Sequence, residues 1–330
     1  MPSSDGRTRA HPVASEPYRW RVSEQEVEAR KGAVYGFLAY LLWGTFPLYF
    51  HALIPAGAWE ILTHRILWTA LLCVLVLAVS RRLRSLARLL RDPRRLGLLC
   101  AASFFIATNW VLYVLAVISG RTTEAALGYF LNPLVTVALG VVVLHEGLRR
   151  LQWVAVGIGA VACAYLAIAY GRPPWISLAL AGSFATYGLI KKRVGGSMTA
   201  LQSLSAETLV LSPVAAAILV VLTLRGETTF TGHGAWHTAL LVLSGVATAI
   251  PLLLFAAAAR RVPLVTIGLL QFITPILQLL AGVLLLGEQM SAARWVGFGI
   301  VWVALVVLSV DSLRAARRTR RAARLAAAPV

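Results

Sequence analysis

Ten long apolar stretches, separated by short polar segments, make up most of the chain. They span approximately residues 33–50, 59–80, 97–118, 125–144, 153–170, 175–190, 204–224, 236–259, 264–286 and 293–311. Each stretch is close to the roughly 20 residues that an α-helix needs to cross a bilayer. The pattern predicts an all-α integral membrane protein with ten transmembrane helices.

The polar segments between these stretches alternate between strongly basic and nearly uncharged. One set carries 24 Lys and Arg residues, whereas the alternate set carries only 4. Cationic segments stay on the cytoplasmic side of a membrane. We therefore expect a multi-pass protein of the bacterial inner membrane with both termini cytoplasmic. We also expect residues 1–31 to be a disordered cytoplasmic tail without a signal peptide, with a short helix near Ser23–Arg30.

The two halves of the chain resemble each other. Residues 128–166 align without gaps with residues 270–308, at an offset of 142 positions. The matched pairs include Phe130 with Phe272, Pro133 with Pro275, Gly140 with Gly282, Glu146 with Glu288 and Trp153 with Trp295. A repeat of five spans enters the membrane from the opposite side in its second copy, which gives the inverted pair typical of secondary transporters. We expect repeats at 32–171 and 172–311, followed by a basic cytoplasmic tail at 312–330.

Composition excludes several other classes of protein. The chain of 330 residues is 59% hydrophobic and 13% charged, whereas a soluble domain carries about 25% charge. Its net charge of +18 is spread between the apolar stretches, which indicates anionic lipids as partners and no nucleic acid. Three isolated cysteines and the lack of a phosphate-binding loop predict no metal, no cofactor and no ATP drive. Either a monomer or a homodimer fits.

Several motifs carry a resemblance to a known family. They are EILTHR at 60–65, Asn109-Trp110, GYFLNP at 128–133, Glu146 to Trp153, Glu207-Thr208, and Gln271-Phe272 with Pro275. Together they resemble the EamA-type transporters of the drug/metabolite transporter superfamily, and most of all its RarD group. The resemblance implies ten helices in two inverted repeats and the transport of a small molecule. RarD proteins are commonly labelled chloramphenicol-sensitive, which implies amphenicols as substrates to test.

The second span begins with three ionisable residues, Glu60, His64 and Arg65. A charge in hydrocarbon is costly, so such residues normally face protein or water and are often functional. The offset of 142 also aligns Arg65 with Glu207, so we expect the two side chains to face each other near a central cavity. Arg65 would bind an anionic or carbonyl group of the substrate, unless the two form a structural ion pair. Glu207, Glu60 or His64 would carry a coupling proton.

Polar and aromatic residues in other spans complete the predicted substrate site. They are Asn109, Trp110 and Tyr113 in the third span, Tyr129 and Asn132 in the fourth, Gln271 and Thr274 in the ninth, and Trp43 and Tyr187 in the first and sixth. Pro133 and Pro275 are the predicted hinges, because proline frees backbone carbonyls. Hydrogen bonding between packed helices is the competing explanation. For Glu146 and Glu288, which end two spans, we expect helix-terminating or gating contacts.

These patterns favour a secondary-active permease that moves a small metabolite or drug-like molecule by alternating access. A polytopic membrane enzyme is less well supported, because the arginine-rich segment 81–95 has only Asp92 nearby and no His. A flippase for a lipid-linked substrate would share the fold and stays open. We therefore expect a transporter and not an enzyme.

The predicted orientation can be tested with reporter fusions. Fusions placed after Lys31 and after Arg314 should both report a cytoplasmic location, because 24 of the 28 cations counted in the connecting segments and the adjoining tails lie on that side. A periplasmic signal from either fusion would contradict the topology.

Overall fold

The computed structural model describes residues 16–145, 147–171, 173–194, 198–262 and 264–326. These ranges are helical, with no strand among them. The helices are α1 (Glu16–Gly44), α2 (Phe46–His51), α3 (Ala58–Val79), α4 (Leu83–Leu90), α5 (Pro93–Ile118), α6 (Thr122–Leu144), α7 (Arg150–Tyr170), α8 (Trp175–Val194), α9 (Ala200–Leu224), α10 (Gly234–Ala259), α11 (Leu264–Leu270), α12 (Ile273–Leu280) and α13 (Ala292–Ala326). A π-helical segment, Ala281–Leu285, follows α12.

Nine stretches within the described ranges are long and apolar enough to cross a membrane. They lie on α1–α2, α3, α5, α6, α7, α9, α10, the segment from α11 to the π-helix, and α13. The predicted all-α membrane fold is confirmed. Helix α8 covers the sixth predicted span, but its serines, tyrosine and terminal lysines make it less apolar than the others. The count of ten spans therefore stays a prediction.

Two elements differ from the sequence prediction. Helix α1 begins at Glu16, so residues 16–31 extend the first span as a helix where a largely disordered tail was expected. The ninth span is not one helix, since it is interrupted at Gln271-Phe272. Pro275 explains the interruption, because a proline ring clashes with the carbonyl four residues earlier. Pro133 lies inside α6, which continues through it.

Helix α3 packs against α5, α9 and α10. It runs antiparallel to α9, since Leu62 and Ile66 share an apolar cluster with Leu211 and Ala215. Further along the pair, Cys73 shares a cluster with Leu204. This register places each end of α3 beside the opposite end of α9.

A glycine lets α3 and α10 approach closely. A Cβ atom at Gly245 would lie 2.5 Å from the backbone carbon of Trp68 and 2.7 Å from the backbone nitrogen of Thr69. Only a residue without a side chain fits such a contact, as in other tightly packed membrane helices. The hydroxyl of Thr69 donates to the Gly245 carbonyl at 3.2 Å, which fastens the crossing.

The helix order follows the predicted repeat. Helices α3 and α9 begin at Ala58 and Ala200, which are 142 positions apart, and α7 and α13 begin with the same spacing. Within each of these two pairs the equivalent helices pack against each other. Such self-pairing is expected of equivalent helices that lie beside a pseudo-two-fold axis between inverted repeats. The arrangement supports the repeat, and the boundaries at 32–171 and 172–311 stay predictions.

Candidate functional site

Arg65 is a buried cation surrounded by aromatic rings. Its side chain is 3% exposed, and its Nε donates to the hydroxyl of Thr248 on α10 at 3.1 Å. The guanidinium carbon lies 4.8 Å from the ring centroid of Trp110, 5.0 Å from that of Phe50 and 5.7 Å from that of Phe46. Cation–π attraction of this kind strengthens when the cation is desolvated. We call these five residues the Arg65 cluster.

One nitrogen of this guanidinium has no partner. Nη1 of Arg65 is buried and makes no hydrogen bond, and none of the ion pairs of the described residues includes Arg65. A buried charge that lacks a charged or hydrogen-bonding partner is costly. The Arg65 cluster therefore offers a donor and a positive charge to any acceptor that reaches it.

Glu207 has a complete set of local partners. Its carboxylate forms an ion pair with Lys191 at 2.5 Å and accepts from the hydroxyls of Tyr187 and Ser203, each at 3.1 Å. Lys191 also bonds Ser203. Tyr187 and Lys191 lie one helix turn apart on α8, and Ser203 lies one turn before Glu207 on α9. These four residues form the Glu207 cluster.

The direct ion pair of Arg65 and Glu207, which was the alternative to separate roles, is not among the ion pairs of the described residues. The two carboxylate oxygens of Glu207 accept from Tyr187 and Lys191, and the Nε of Arg65 donates to Thr248. The antiparallel register explains why: it brings Arg65 level with about residue 212 of α9, roughly 7 Å along the axis from Glu207. Inverted equivalence therefore offsets the two charges along the α3–α9 pair and does not place them opposite each other.

Asn109 joins three helices. Its amide nitrogen donates to the Leu180 carbonyl at 3.0 Å and to the Ser183 hydroxyl at 3.2 Å, both on α8. Its oxygen accepts from the Tyr129 hydroxyl of α6 at 3.2 Å. In this structure Asn109 and Tyr129 therefore make the packing contacts that were the alternative to a substrate role.

Tyr113 and Asn132 each keep a free polar atom. The Tyr113 ring lies between those of Phe50 and Tyr129, with centroids 5.8 and 5.4 Å away. Its hydroxyl and the side-chain oxygen of Asn132 are buried without a hydrogen bond. Because Phe50 also contacts Arg65, Tyr113 borders the Arg65 cluster.

Thr274 of the predicted site, and Gln278 one turn further along, which was not predicted, contact the end of α1. Thr274 donates to the carbonyl of Tyr40 at 2.7 Å, and Gln278 donates to the carbonyl of Trp43 at 3.3 Å. Trp43 itself packs its ring against Tyr40 and Phe255. The side chain of Gln271 is half-buried at the interruption before α12. These contacts connect α12 to α1 and do not reach Arg65.

Glu60 holds the segment between α9 and α10. Its carboxylate accepts from the backbone N–H of Thr229 at 2.7 Å and from the Thr229 hydroxyl at 2.9 Å. The same hydroxyl lies 2.7 Å from Nε2 of His237. His64, one turn further along α3, stacks on Phe230 with ring centroids 4.8 Å apart. These contacts fit a structural role for Glu60 at the mouth of the helix, which was the alternative to proton coupling.

Glu288 caps a helix. Its two carboxylate oxygens accept from the backbone N–H groups of Thr122 and Thr123 at 2.5 and 2.8 Å, at the beginning of α6. A carboxylate at a helix N-terminus is favourable because it pairs with free N–H groups and with the helix dipole. This is the kind of helix-terminating contact expected for Glu288. Its counterpart Glu146 lies outside the described residues.

Five residues of the two clusters were absent from the predicted site, namely Phe46, Phe50, Thr248, Lys191 and Ser203. Lys191 was counted with the cytoplasmic cations, although its spacing of four from Tyr187 could have placed both on one face of α8. Thr248 gave no signal, because single threonines are common in membrane helices. No three His, Cys, Asp or Glu side chains of the described ranges are grouped so that they could hold a metal ion.

The fold and its charged interior define a multi-pass membrane protein, and comparison with known proteins gives its family. Residues 30–168 and 173–310 each match the EamA-like transporter family. "Protein RarD" of Streptomyces exfoliatus is 52% identical over 92% of this chain and 95% of its own length. "Uncharacterized transporter YojE" of Bacillus subtilis (strain 168) is 38% identical over 90% of this chain and 99% of its own. The chain belongs to the EamA-like transporter family.

A solved structure shares the fold. It superposes with a TM-score of 0.57 at 18% identity, and it covers 84% of this chain and 96% of its own. At this identity the likeness concerns the fold alone.

The partners of Glu207 can be tested with a double-mutant cycle. Lys191→Met and Glu207→Gln should each destabilise the protein, and the double variant should be better than the sum by about 1–3 kcal/mol, because removing one partner strands the other. The free energy of unfolding is measured in mixed micelles by denaturant titration.

The matched control is a second double-mutant cycle, which combines Glu207→Gln with Arg65→Gln. Arg65 and Glu207 share no partner, so their effects should add within about 0.5 kcal/mol. Strong coupling of Glu207 to Arg65, or none to Lys191, would contradict the assignment.

Proposed function

We propose that the chain is a secondary-active permease that moves a small metabolite or drug-like molecule across the bacterial inner membrane by alternating access. Membership of the EamA-like family supports the transporter class. The matching starts and self-pairing of equivalent helices support two inverted halves that can rock against each other.

The free nitrogen of Arg65 carries the proposal for the substrate. A buried guanidinium binds carboxylates and carbonyl oxygens through its planar set of N–H donors. The rings of Trp110, Phe50 and Phe46 form an apolar surround for it. We infer a substrate that carries an anionic or carbonyl group on a compact apolar body, which would stack on these rings.

The position of the two clusters suits alternating access. The Arg65 cluster lies toward the start of α3, and the Glu207 cluster lies toward the start of the antiparallel α9. In our proposal a substrate bound at Arg65 is released on the side of Glu207 when the halves rock. The two charges are offset by roughly 7 Å along the α3–α9 pair, with Arg65 nearer the start of α3 and Glu207 nearer the start of α9.

Replacement of Arg65 should abolish selectivity for anions. Arg65→Gln keeps an amide donor and removes the charge, so uptake of a carboxylate probe such as phenylacetate into proteoliposomes should fall by roughly tenfold or more. Uptake of the neutral carbonyl probe chloramphenicol should fall less, because the glutamine amide can still donate a hydrogen bond to a carbonyl. Initial uptake rates are compared at equal amounts of folded protein.

Arg225→Gln is the matched control, since Arg225 is an exposed cation at the far end of α9. That variant should transport at the wild-type rate. Wild-type carboxylate uptake by a folded Arg65→Gln protein would overturn the substrate assignment, and transport of lipid-linked molecules alone would favour a flippase.

We also propose that a proton drives transport and that Glu207 carries it. Glu207 is buried at 4% exposure, but its partner Lys191 is 28% exposed and so gives the pair a route to water. Protonation of the Glu207 carboxylate would break its ion pair with Lys191. Uptake of a proton could in this way be linked to opening of the pathway at the Glu207 cluster. Glu60, which Thr229 holds through two hydrogen bonds, is assigned the structural role.

A pH gradient should therefore accelerate uptake by the wild-type protein. Glu207→Gln should transport at a rate independent of the gradient, because an amide takes up no proton at these pH values. Uptake is measured with and without a gradient between about pH 5.5 and 8.5, a range that brackets the ordinary titration of histidine. Gradient-independent uptake by the wild type would indicate facilitated exchange.

A further inference from the structure

His64 presents a hydrogen-bond donor without an acceptor. The indole N–H of Trp68 donates to Nδ1 of His64 at 3.1 Å. Because an indole can only donate, Nδ1 must be the unprotonated nitrogen, and the neutral imidazole then carries its proton on Nε2. His64 is 4% exposed, and its Nε2 is buried without a partner.

This imidazole lines an open cavity of about 440 Å³ between α3 and α9, which we call the His64 groove. One part of its lining is apolar and includes Leu67, Leu71 and Leu219. Leu71 is 58% exposed on a membrane span, so the groove opens toward lipid. A lipid-facing groove with a buried polar donor is not explained by apolar packing alone.

The other part of the lining is polar. Thr223 lies near the end of α9, and Thr228 and Thr231 lie in the segment between α9 and α10. The groove therefore changes from apolar to hydroxyl-rich toward the end of the span, as a bilayer changes from hydrocarbon to headgroups.

The depth of His64 matches the level of lipid ester groups. His64 is the seventh residue of α3, so it lies about 9 Å along the axis from the helix start. The headgroup layer on each side of a bilayer is roughly 5–8 Å thick, and the glycerol ester carbonyls lie at its inner edge. An ester carbonyl is an acceptor, which is the group that the His64 Nε2–H lacks.

We propose that the His64 groove binds a glycerophospholipid of the bilayer. An ester carbonyl accepts from Nε2–H of His64, an acyl chain lies along Leu67 and Leu71, and the headgroup meets the three threonines. The site is separate from the Arg65 cluster, so it does not depend on the proposed substrate. It would make the packing of α3 against α9 sensitive to the lipid composition of the membrane.

The test uses the full chain in vesicles of phosphatidylethanolamine and phosphatidylglycerol. A phosphatidylethanolamine with a diazirine near the start of one acyl chain is added, and labelled peptides are mapped by mass spectrometry. Label should concentrate on residues 64–71 and 219–231 compared with other lipid-facing helix surfaces. An even distribution over these surfaces would overturn the proposal.

Two tryptophan variants give a matched comparison. Leu71→Trp should fill the groove and lower its labelling several-fold. Leu75→Trp lies one turn further on the same helix at the same 58% exposure, outside the groove lining, and should leave labelling unchanged. Equal losses in both variants would contradict a defined lipid site.

The role of the N–H donor is tested at His64 itself. His64→Phe keeps an aromatic ring against Phe230 but has no donor, so labelling should fall roughly fivefold, as expected for one hydrogen bond. His64→Gln offers an amide donor and should recover part of the loss. If His64→Phe does not fold, the tryptophan pair decides. Labelling by an amphipathic drug-like diazirine probe, with none by the phospholipid, would assign the groove to a different ligand.

Discussion

Burying a charge inside a bundle surrounded by lipid is costly unless the charge has polar partners, and in this protein those partners join the helices. Arg65, Glu60 and Glu207 are each less than 5% exposed. Each has polar partners from another element, and these partners tie α3 to α10, α3 to the segment before α10, and α9 to α8. The buried charges therefore organise the centre of the bundle, where apolar packing against lipid-like surroundings gives little preference for one neighbour.

The breaks in the helices are subject to the same constraint, because backbone polar groups freed there also need partners. Helix α1 ends at Gly44, and the carbonyl of Trp43 in its last turn accepts from the amide of Gln278. Freed carbonyls at a helix end need such partners, above all where water is scarce. The interruption before α12 and the break after α1 lie on two helices that pack against each other. Broken helices near the bundle interior are the usual sites of substrate passage in transporters.

The Arg65 cluster and the Glu207 cluster differ in whether the central charge has all its hydrogen-bond partners. Glu207 has three partners from α8 and α9, whereas Arg65 keeps an unpartnered nitrogen among aromatic rings. This asymmetry between equivalent positions of the two repeats is why we place substrate recognition at Arg65 and proton linkage at Glu207. A second unpartnered donor, on His64, faces the bilayer and extends the same reasoning to lipid.

Hydropathy, helix length and short motifs are local properties, so the membrane class, the approximate helices and the family resemblance could be predicted from the residues alone. The sequence also indicated that Arg65, Glu60 and Glu207 would be buried, since a charge within an apolar span has few alternatives. The tertiary structure decided their partners. Thr248 lies 183 positions from Arg65, and only the antiparallel register of α3 and α9 shows that Arg65 and Glu207 stand at different levels. Offsets between repeats predict equivalence, whereas contact depends on the axis that relates them.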